Sequence, residues 1–122
     1  MIDAISVTGI QLDIDTKTKR YVLKKIGRLS RYLPRHARKS VSAEVKLKEV
    51  NKDHGNKYEV EVIIHLPEQL ITAKDSTLNI LAAVDIVEAK IITQLKRYKQ
   101  LHTNHRGKHG FLSRFKRSFE RG

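Results

Sequence analysis

The chain has 122 residues, of which 25 are lysine or arginine and 13 are aspartate or glutamate, so its formal net charge at pH 7 is +12 with histidine counted as neutral. A chain of this length is expected to form one domain with one modest core. Cysteine is absent, which excludes disulfide frameworks, thiolate zinc sites and cysteine nucleophiles. The surplus of positive charge predicts a polyanionic partner.

Two features bear on where the protein acts. The N-terminal segment carries an acid at Asp3 and lacks the cationic and then apolar run of a secretion signal. No apolar run approaches the roughly 20 residues needed to span a bilayer. We therefore expect a soluble, cytoplasmic protein with no membrane partner.

The first third of the chain predicts one strand and one helix. Ile5 and Val7 alternate with smaller or polar residues until Thr8-Gly9, which is typical of a short strand. Asp15-Thr16 offers a helix N-cap. Apolar residues then recur at helical spacing, at Val22, Ile26, Leu29 and Leu33. Pro34 is expected to end this helix.

The middle of the chain predicts three more strands. Apolar and polar residues alternate from Val41 to Lys48 and again from Tyr58 to Leu66, so both strands should be half buried. The polar segment between them, residues 51 to 57, contains a glycine and is typical of a hairpin loop. Pro67 then predicts a turn into a shorter fourth strand around Leu70 to Lys74.

A long helix is predicted from about Leu78 to about Leu101, capped by residues within the segment from Asp75 to Asn79. Its packing stripe is Leu81, Val84, Val87, Ile91, Leu95 and Tyr98. The following polar segment, residues 102 to 110, is predicted to be a linker that is neither helix nor strand. The element order β-α-β-β-β-α indicates an α+β domain over residues 1–101, a four-stranded sheet with two helices on one face. A basic, disordered extension is expected over residues 102–122.

The first predicted helix carries seven cations and no acid, namely Lys17, Lys19, Arg20, Lys24, Lys25, Arg28 and Arg31. On its side opposite the core, five of them recur every three or four residues and form what we call the cationic strip: Lys17, Arg20, Lys24, Arg28 and Arg31. Such a face could simply keep a helix soluble. However, like charges at this spacing repel by a few tenths of a kcal/mol per pair, and a solvated helix usually intersperses acids. The pattern therefore favours binding of an external anion.

The second long helix adds Lys90 in its middle and three cations in its last turns, Lys96, Arg97 and Lys99. Cations near a helix C-terminus also offset the helix dipole, so these three are weaker indicators of a ligand than Lys90.

Catalysis and metal binding find little support. Common phosphate-binding, nucleophile and zinc-hydrolase motifs are absent from the sequence. His102, His105 and His109 have a spacing that a metal could use, but they lie in the predicted linker without carboxylate support. We expect no enzyme activity, no cofactor, no metal and no small-molecule substrate.

Three stretches, ISVTGIQLDID, KKIGRLSRYL and NILAAVDIVEAKIITQLKRYK, resemble segments of the bacterial ribosome hibernation factors, the short hibernation-promoting and ribosome-associated inhibitor proteins related to the sigma-54 modulation protein. The resemblance covers residues 1 to about 101. Asn79 stands where the family usually has aspartate and Leu81 where it often has tyrosine.

The resemblance implies a domain similar to double-stranded RNA-binding domains that lies in the decoding region of the small ribosomal subunit. There it would contact ribosomal RNA and block messenger and transfer RNA by occlusion, in small subunits and intact ribosomes. Long members carry a second, C-terminal domain that pairs ribosomes, so this chain looks like a short form, and we expect a monomer away from the ribosome.

By resemblance, the leading RNA contacts are Lys19, Lys25, Arg28, Lys90 and Arg97. A second rank rests on the charge pattern alone and consists of Lys24, Arg31, Lys96 and Lys99. Because Lys25 and Arg28 lie off the predicted core stripe, reversing their charge is expected to spare folding. A general structured-RNA-binding module or RNA chaperone, not specific to ribosomes, is the alternative.

The C-terminal segment has phenylalanines at every fourth position, Phe111, Phe115 and Phe119, among cations. A membrane surface, a protein groove, the chain's own core or an RNA could each accept such a stripe. Since the domain is expected to close its core by about Leu101, a ribosomal contact fits best. The predicted tail contacts are Arg114, Phe115, Lys116 and Arg117.

Overall fold

The structure, a computed structural model, describes the backbone of residues 1–50 and 57–107 and the side chains of residues 1–50 and 57–101. The elements in chain order are β1 (Ile5–Ile10), α1 (Thr16–Gly27), a 3-10 helix (Arg28–Tyr32), α2 (Arg35–Arg38), β2 (Ser42–Glu49), β3 (Tyr58–His65), β4 (Leu70–Thr77) and α3 (Ile80–Gly107). The predicted α+β class and β-α-β-β-β-α order are confirmed, with the short α2 inserted before β2.

The four strands form one mixed sheet in the order β1-β2-β3-β4, with β1 parallel to β2 and the other pairs antiparallel. The register aligns apolar residues across all four strands, as in the row Val7, Val45, Val62 and Ala73. Since strand side chains alternate between faces, this register gives the sheet one apolar face. The helices α1 and α3 pack on that face.

The core forms where the apolar stripes of the two helices meet the sheet. Val22 and Ile26 of α1 are fully buried, as are most of the predicted stripe residues of α3. Leu81, the first residue of that predicted stripe, is only partly buried. At the other end of α3, the ring of Tyr98 is buried and its hydroxyl donates to Glu68 Oε1 at 2.5 Å. Burial and this hydrogen bond raise the pKa of Tyr98.

Both helix starts follow the predicted capping. The carboxylate of Asp15 accepts a hydrogen bond from the backbone N–H of Thr18 at 2.7 Å, and this bond lowers the pKa of Asp15. Asn79 Oδ1 accepts from the backbone N–H groups of Leu81 and Ala82 at 2.8 and 3.1 Å. Each cap satisfies donors that the first helical turn leaves without a partner.

The first strand and first helix differ from prediction at their ends. β1 continues through Gly9 to Ile10 instead of ending at Thr8-Gly9. A Cβ at position 9 would lie 2.2 Å from the carbonyl oxygen of Leu12, so only glycine admits this approach. α1 ends at Gly27 rather than at Pro34. The chain tightens there into the 3-10 helix, which keeps Leu29 buried. Pro34 then caps the N-terminus of α2 instead of ending α1.

The fourth strand and last helix are longer than predicted. β4 extends to Thr77, and α3 continues to Gly107, so residues 102 to 107 are helical rather than irregular. No proline or glycine interrupts the sequence from Ile80 to Arg106, and adding turns to an existing helix is much easier than starting one. The rest of the predicted extension, including its phenylalanine stripe, lies outside the described residues.

On the second face of the sheet, the described residues place no helix, and the charges of the strands balance. We call it the outer sheet face. Three lysines and three glutamates lie on it: Glu44, Lys46, Lys48, Glu59, Glu61 and Lys74. Lys46 pairs across the strands with Glu61, which pairs in turn with Lys74. Opposite charges on neighbouring strands stabilise such a face modestly.

Candidate nucleic-acid interface

The cations of α1 divide into two sets in the folded domain. The first set is exposed and consists of Lys17, Lys19, Arg20 and Lys24. Within the part of the chain that the structure describes, none of these four forms an ion pair. They can therefore bind an external anion without losing an internal partner.

The second set is paired with acids of α3. Lys25 Nζ lies 3.2 Å from Asp85 Oδ1 and 3.5 Å from Glu88 Oε1. Arg28 Nε lies 3.1 Å from Glu88 Oε2, and the Glu88 side chain is only 7% exposed. The acids missing from the α1 sequence are thus supplied by another helix, about 60 residues further along the chain.

Tyr21 completes this network between the two helices. Its hydroxyl donates to Asp85 Oδ1 at 2.6 Å, and Lys25 Nζ lies 5.4 Å from the centroid of its ring. The hydrogen bond to Asp85 raises the pKa of Lys25 and also that of Tyr21. Burial disfavours the Asp85 carboxylate, but the hydrogen bonds from Tyr21 and Lys25 outweigh it and lower the pKa of Asp85. The Lys25–Asp85 ion pair is therefore charged on both sides at neutral pH.

The exposures of Lys25 and Arg28 separate their roles. The Lys25 side chain is 20% exposed and shared between two carboxylates, so it mainly ties α1 to α3. The Arg28 side chain is 39% exposed and uses only Nε toward Glu88. Its two Nη groups remain for a phosphate, which a guanidinium binds well because its donors form a flat fork. The hydrogen bond to Glu88 raises the pKa of Arg28 and orients it.

Lys90 also has an internal partner. Its Nζ lies 3.0 Å from Asp75 Oδ2 and 3.4 Å from the carbonyl oxygen of Lys74, and its side chain is half exposed. One turn further along α3, Gln94 Nε2 donates to the carbonyl oxygen of Thr72 at 2.8 Å. Both side chains thus bond to the edge strand β4. The hydrogen bond from Lys90 lowers the pKa of Asp75.

The remaining predicted contacts lie around the later turns of α3. Lys96 and Arg97 are exposed, whereas Lys99 is half buried. Lys96 Nζ lies 5.8 Å from the centroid of the Tyr32 ring, which joins this part of α3 to the 3-10 helix. Arg31, in the same 3-10 helix, is exposed.

Sequence reasoning missed three further cations, Arg35, Arg38 and Lys39, which are exposed in and directly after α2. The signal was present in the run RHARK, but it follows Pro34 and therefore fell outside the predicted helix face. Because α2 follows the 3-10 helix directly, these residues extend the positive surface beyond α1.

Other kinds of site find no support in the described ranges, 1–50 and 57–101. They contain no group of three or more histidine, cysteine or acidic residues that could hold a metal ion. No helix there is both long and apolar enough to cross a membrane. The side chains of His102, His105 and His109 lie outside these ranges.

The helical side of this α+β domain carries exposed cations, several of which form no ion pair among the described residues. This pattern is typical of one class of protein, the basic modules that bind polyanions. The model of the sigma 54 modulation protein / S30EA ribosomal protein family matches residues 5–102. The chain therefore belongs to this family of ribosome-associated proteins, and the predicted resemblance to ribosome hibernation factors is confirmed.

Two solved structures are similar to this chain. The N-terminal domain of Protein Y from Thermus thermophilus matches with a TM-score of 0.66 and 28% sequence identity, covering 80% of this chain and 99% of that one. A ribosomal subunit interface protein from Coxiella burnetii matches with a TM-score of 0.65 and 28% identity, covering 80% of this chain and 98% of that one. No curated protein matches the sequence significantly.

Proposed function

We propose that this protein binds the small ribosomal subunit through ribosomal RNA and inhibits translation by occluding the paths of messenger and transfer RNA. It does so in free subunits and in intact ribosomes. The observation that carries the proposal is the exposed set of α1 cations, typified by Lys17, Arg20 and Lys24, which have no ion-pair partner among the described residues of a chain from a ribosome-associated family.

Lysine and arginine side chains that neutralise RNA phosphates can account for binding to the ribosome without any recognition of bases. Each lysine or arginine that meets a phosphate releases a condensed counterion, which makes the affinity strongly dependent on salt. Phosphate contacts fix the position of a protein but do not read sequence. Specificity would then come from the folded shape of the ribosomal RNA, and inhibition would come from the volume of the bound domain.

The predicted contacts have different roles in this proposal. Lys19, Lys24, Arg31, Lys96 and Arg97 are exposed and bind phosphates directly. Arg28 binds through the Nη groups that Glu88 leaves available. Lys25 and Lys90 hold α3 in place and contribute positive electrostatic potential. Lys99 contributes positive potential near the last described turns of α3.

Co-sedimentation with purified small subunits and with intact ribosomes tests the partner. With about six or more phosphate contacts, binding should weaken by about a thousandfold or more between 50 and 200 mM salt. The double variant Lys17→Gln, Lys24→Gln should bind at least about tenfold more weakly. Its matched control is Lys46→Gln, Lys48→Gln, which removes the same charge from the outer sheet face and should bind like the wild type.

Three results would contradict the proposal. If the ribosome affinity does not change with salt, the cations do not bind through phosphates. Equal weakening of both double variants would show that net charge alone matters, and equal affinity for an unrelated RNA duplex would favour the general RNA-binding alternative.

Occlusion makes a separate prediction for a cell-free translation system. The protein should stop peptide synthesis, and excess messenger RNA with initiator transfer RNA should displace it from small subunits in sedimentation assays. If the protein, messenger RNA and initiator transfer RNA all bind the same small subunit stably, occlusion is ruled out, although ribosome binding still holds.

The C-terminal segment is proposed as a second ribosome contact, through Arg114, Phe115, Lys116 and Arg117. Residues 108–122 hold five cations and one acid, a charge of +4. Deleting them should lower ribosome affinity and reduce the salt dependence, while the melting temperature stays unchanged. Replacing Phe111, Phe115 and Phe119 by alanine would separate the rings from the charges. Unchanged affinity of the deletion variant would leave this segment without a role in binding.

A further inference from the structure

A cleft of about 210 Å³ opens on the helical side of the domain, between α1 and the start of α3. Its lining residues are Lys17, Arg20, Tyr21, Lys24 and Leu81. Three of these are members of the cationic strip, yet the walls of the cleft are almost entirely carbon. The methylene stems of the cations form the walls, because lysine and arginine keep their charged ends in water. The cleft is therefore apolar inside and positive at its rim.

Among the described residues, no acid forms an ion pair with the rim cations, although Lys17 is near enough to Asp15 to help lower the pKa of that carboxyl. In the ranges that the structure describes, Lys17, Arg20 and Lys24 form neither an ion pair nor a side-chain hydrogen bond. A ligand that complements this cleft has an apolar, flat part that enters it and negative charge on both sides. A nucleotide within an RNA strand has this chemistry, since its base is flat and its two flanking phosphates are anionic.

The size of the cleft limits the occupant further. Pockets for complete small molecules usually measure about 300 to 1,000 Å³. A cleft of about 210 Å³ is smaller than this and has room for one ring system. The cations at its rim then favour an unstacked base, whose flanking phosphates are anionic, over an apolar protein segment.

One part of the cleft wall, the ring of Tyr21, is held in place before any ligand arrives. Tyr21 is fixed through its hydroxyl, 2.6 Å from Asp85 Oδ1, and by Lys25 Nζ, 5.4 Å from its ring centroid. A ring that is already immobile loses little conformational entropy when a base packs against it. Leu81 lies opposite on α3, in the first turn after the Asn79 cap.

We propose that this cleft is a subsite for one unstacked nucleobase of an RNA strand, with the flanking phosphates bound by Lys17, Arg20 and Lys24. The subsite deepens the proposed function, and it rests on that function for the source of the strand. It adds a contact to a base that phosphate binding alone does not provide.

The test uses two single-stranded RNA probes, a 12-nucleotide uridine oligomer and an oligomer of the same length without bases. The wild-type full-length chain should bind the base-containing probe about tenfold more tightly or better, as expected for stacking of one base. Leu81→Ser should abolish this difference without changing affinity for the abasic probe. Leu81→Met should retain it. Leu70→Ser is the matched control, because Leu70 is 57% exposed on the outer sheet face.

A structural readout accompanies the affinities. In nuclear magnetic resonance spectra, Leu81 methyl protons should show cross-relaxation with base protons of the uridine oligomer. Circular dichroism should show that every variant is folded. Equal affinity of the wild type for both probes would overturn the subsite, as would a base preference that survives Leu81→Ser.

Failure of the subsite is distinguishable from failure of the proposed function. If the base preference is absent but the protein co-sediments with small subunits, the cleft is not a base site and phosphates suffice. If the wild type shows the base preference but does not co-sediment with ribosomes, the cleft stands and the ribosomal partner is wrong.

Discussion

Arg28 Nε on the 3-10 helix lies 3.1 Å from Glu88 Oε2 on α3, and this carboxylate also lies 3.5 Å from Lys25 Nζ. One nearly buried acid thus serves two cations of the positive surface. The contact between these helices thus contains its own negative charge. This charge lets the helices pack side by side although α1 and the 3-10 helix are rich in cations. The same carboxylate fixes the direction in which Arg28 faces solvent.

Replacing Glu88 by glutamine should lower the free energy of unfolding by about 1 to 3 kcal/mol, because two cations lose their charged partner. The loss should be smaller than for a fully buried pair, since Arg28 is 39% exposed. Urea unfolding followed by circular dichroism measures it. Glu61→Gln, on the outer sheet face, should change stability by about 0.5 kcal/mol or less. Equal stabilities of the two variants would contradict a structural role for Glu88.

Charge reversal should separate folding from binding. Lys25→Glu with Arg28→Glu places two new acids against Asp85 and Glu88, so the melting temperature should fall. Arg20→Glu with Lys24→Glu makes the same change in net charge on exposed residues, so the melting temperature should stay close to wild type while ribosome co-sedimentation is lost. The ion pairs of Lys25 and Arg28 thus lead to a different prediction from the sequence, which indicated that reversal at these two positions spares folding. Equal melting temperatures would show that the ion pairs do not stabilise the domain.

Gly9→Ala should destabilise the domain by about 1 to 3 kcal/mol, because the added methyl would lie 2.2 Å from the carbonyl oxygen of Leu12. The backbone must shift to relieve this contact. Gly27→Ala is the control, since the one close contact of its methyl would be with the flexible end of Met1 at 2.8 Å, and Met1 is 72% exposed. The next atoms, Ile2 O at 3.6 Å and Ile5 Cδ1 at 3.8 Å, lie at ordinary contact distance. Thermal unfolding compares the two. A larger loss at Gly27 would show that the chain between β1 and α1 can adjust.

The acid dependence of stability should change in Asp85→Asn. The pKa of Asp85 is lower in the folded than in the unfolded state, so its stabilising contribution is present above about pH 4, the unfolded value, and is lost as pH falls through the lowered folded value. Urea unfolding at pH 7 should show the variant to be less stable than wild type, and the difference should shrink in acid. A difference that stays constant down to pH 2 would mean that the Asp85 charge is not the cause.

Local patterns predicted the fold well, and the failures have physical causes. The alternation from Tyr58 to Leu66 identified β3 and its buried face, because each side chain's environment follows from its neighbours two residues away. The helical stripe that includes Val22 and Ile26 gave the correct core face of α1. The end of α1 at Gly27 was missed, because tertiary packing decides whether the next turn is an α or a 3-10 helix.

Part of the candidate site could not be predicted from sequence in this way. Lys24 and Lys25 are adjacent and chemically identical, yet one is exposed and the other lies between two carboxylates. The difference arises from α3, which contributes Asp85 and Glu88 from a distant part of the chain. A charge pattern within one helix carries no information about such partners.

The balanced outer sheet face has a kinetic consequence. Its three lysines and three glutamates cancel, so the surplus positive charge of the described domain lies on the helical side, and this domain is electrostatically asymmetric. A polyanionic surface exerts a torque on such a molecule while it is still diffusing toward contact. The helices would then turn toward that polyanionic surface before collision, and fewer encounters would fail because of a wrong orientation.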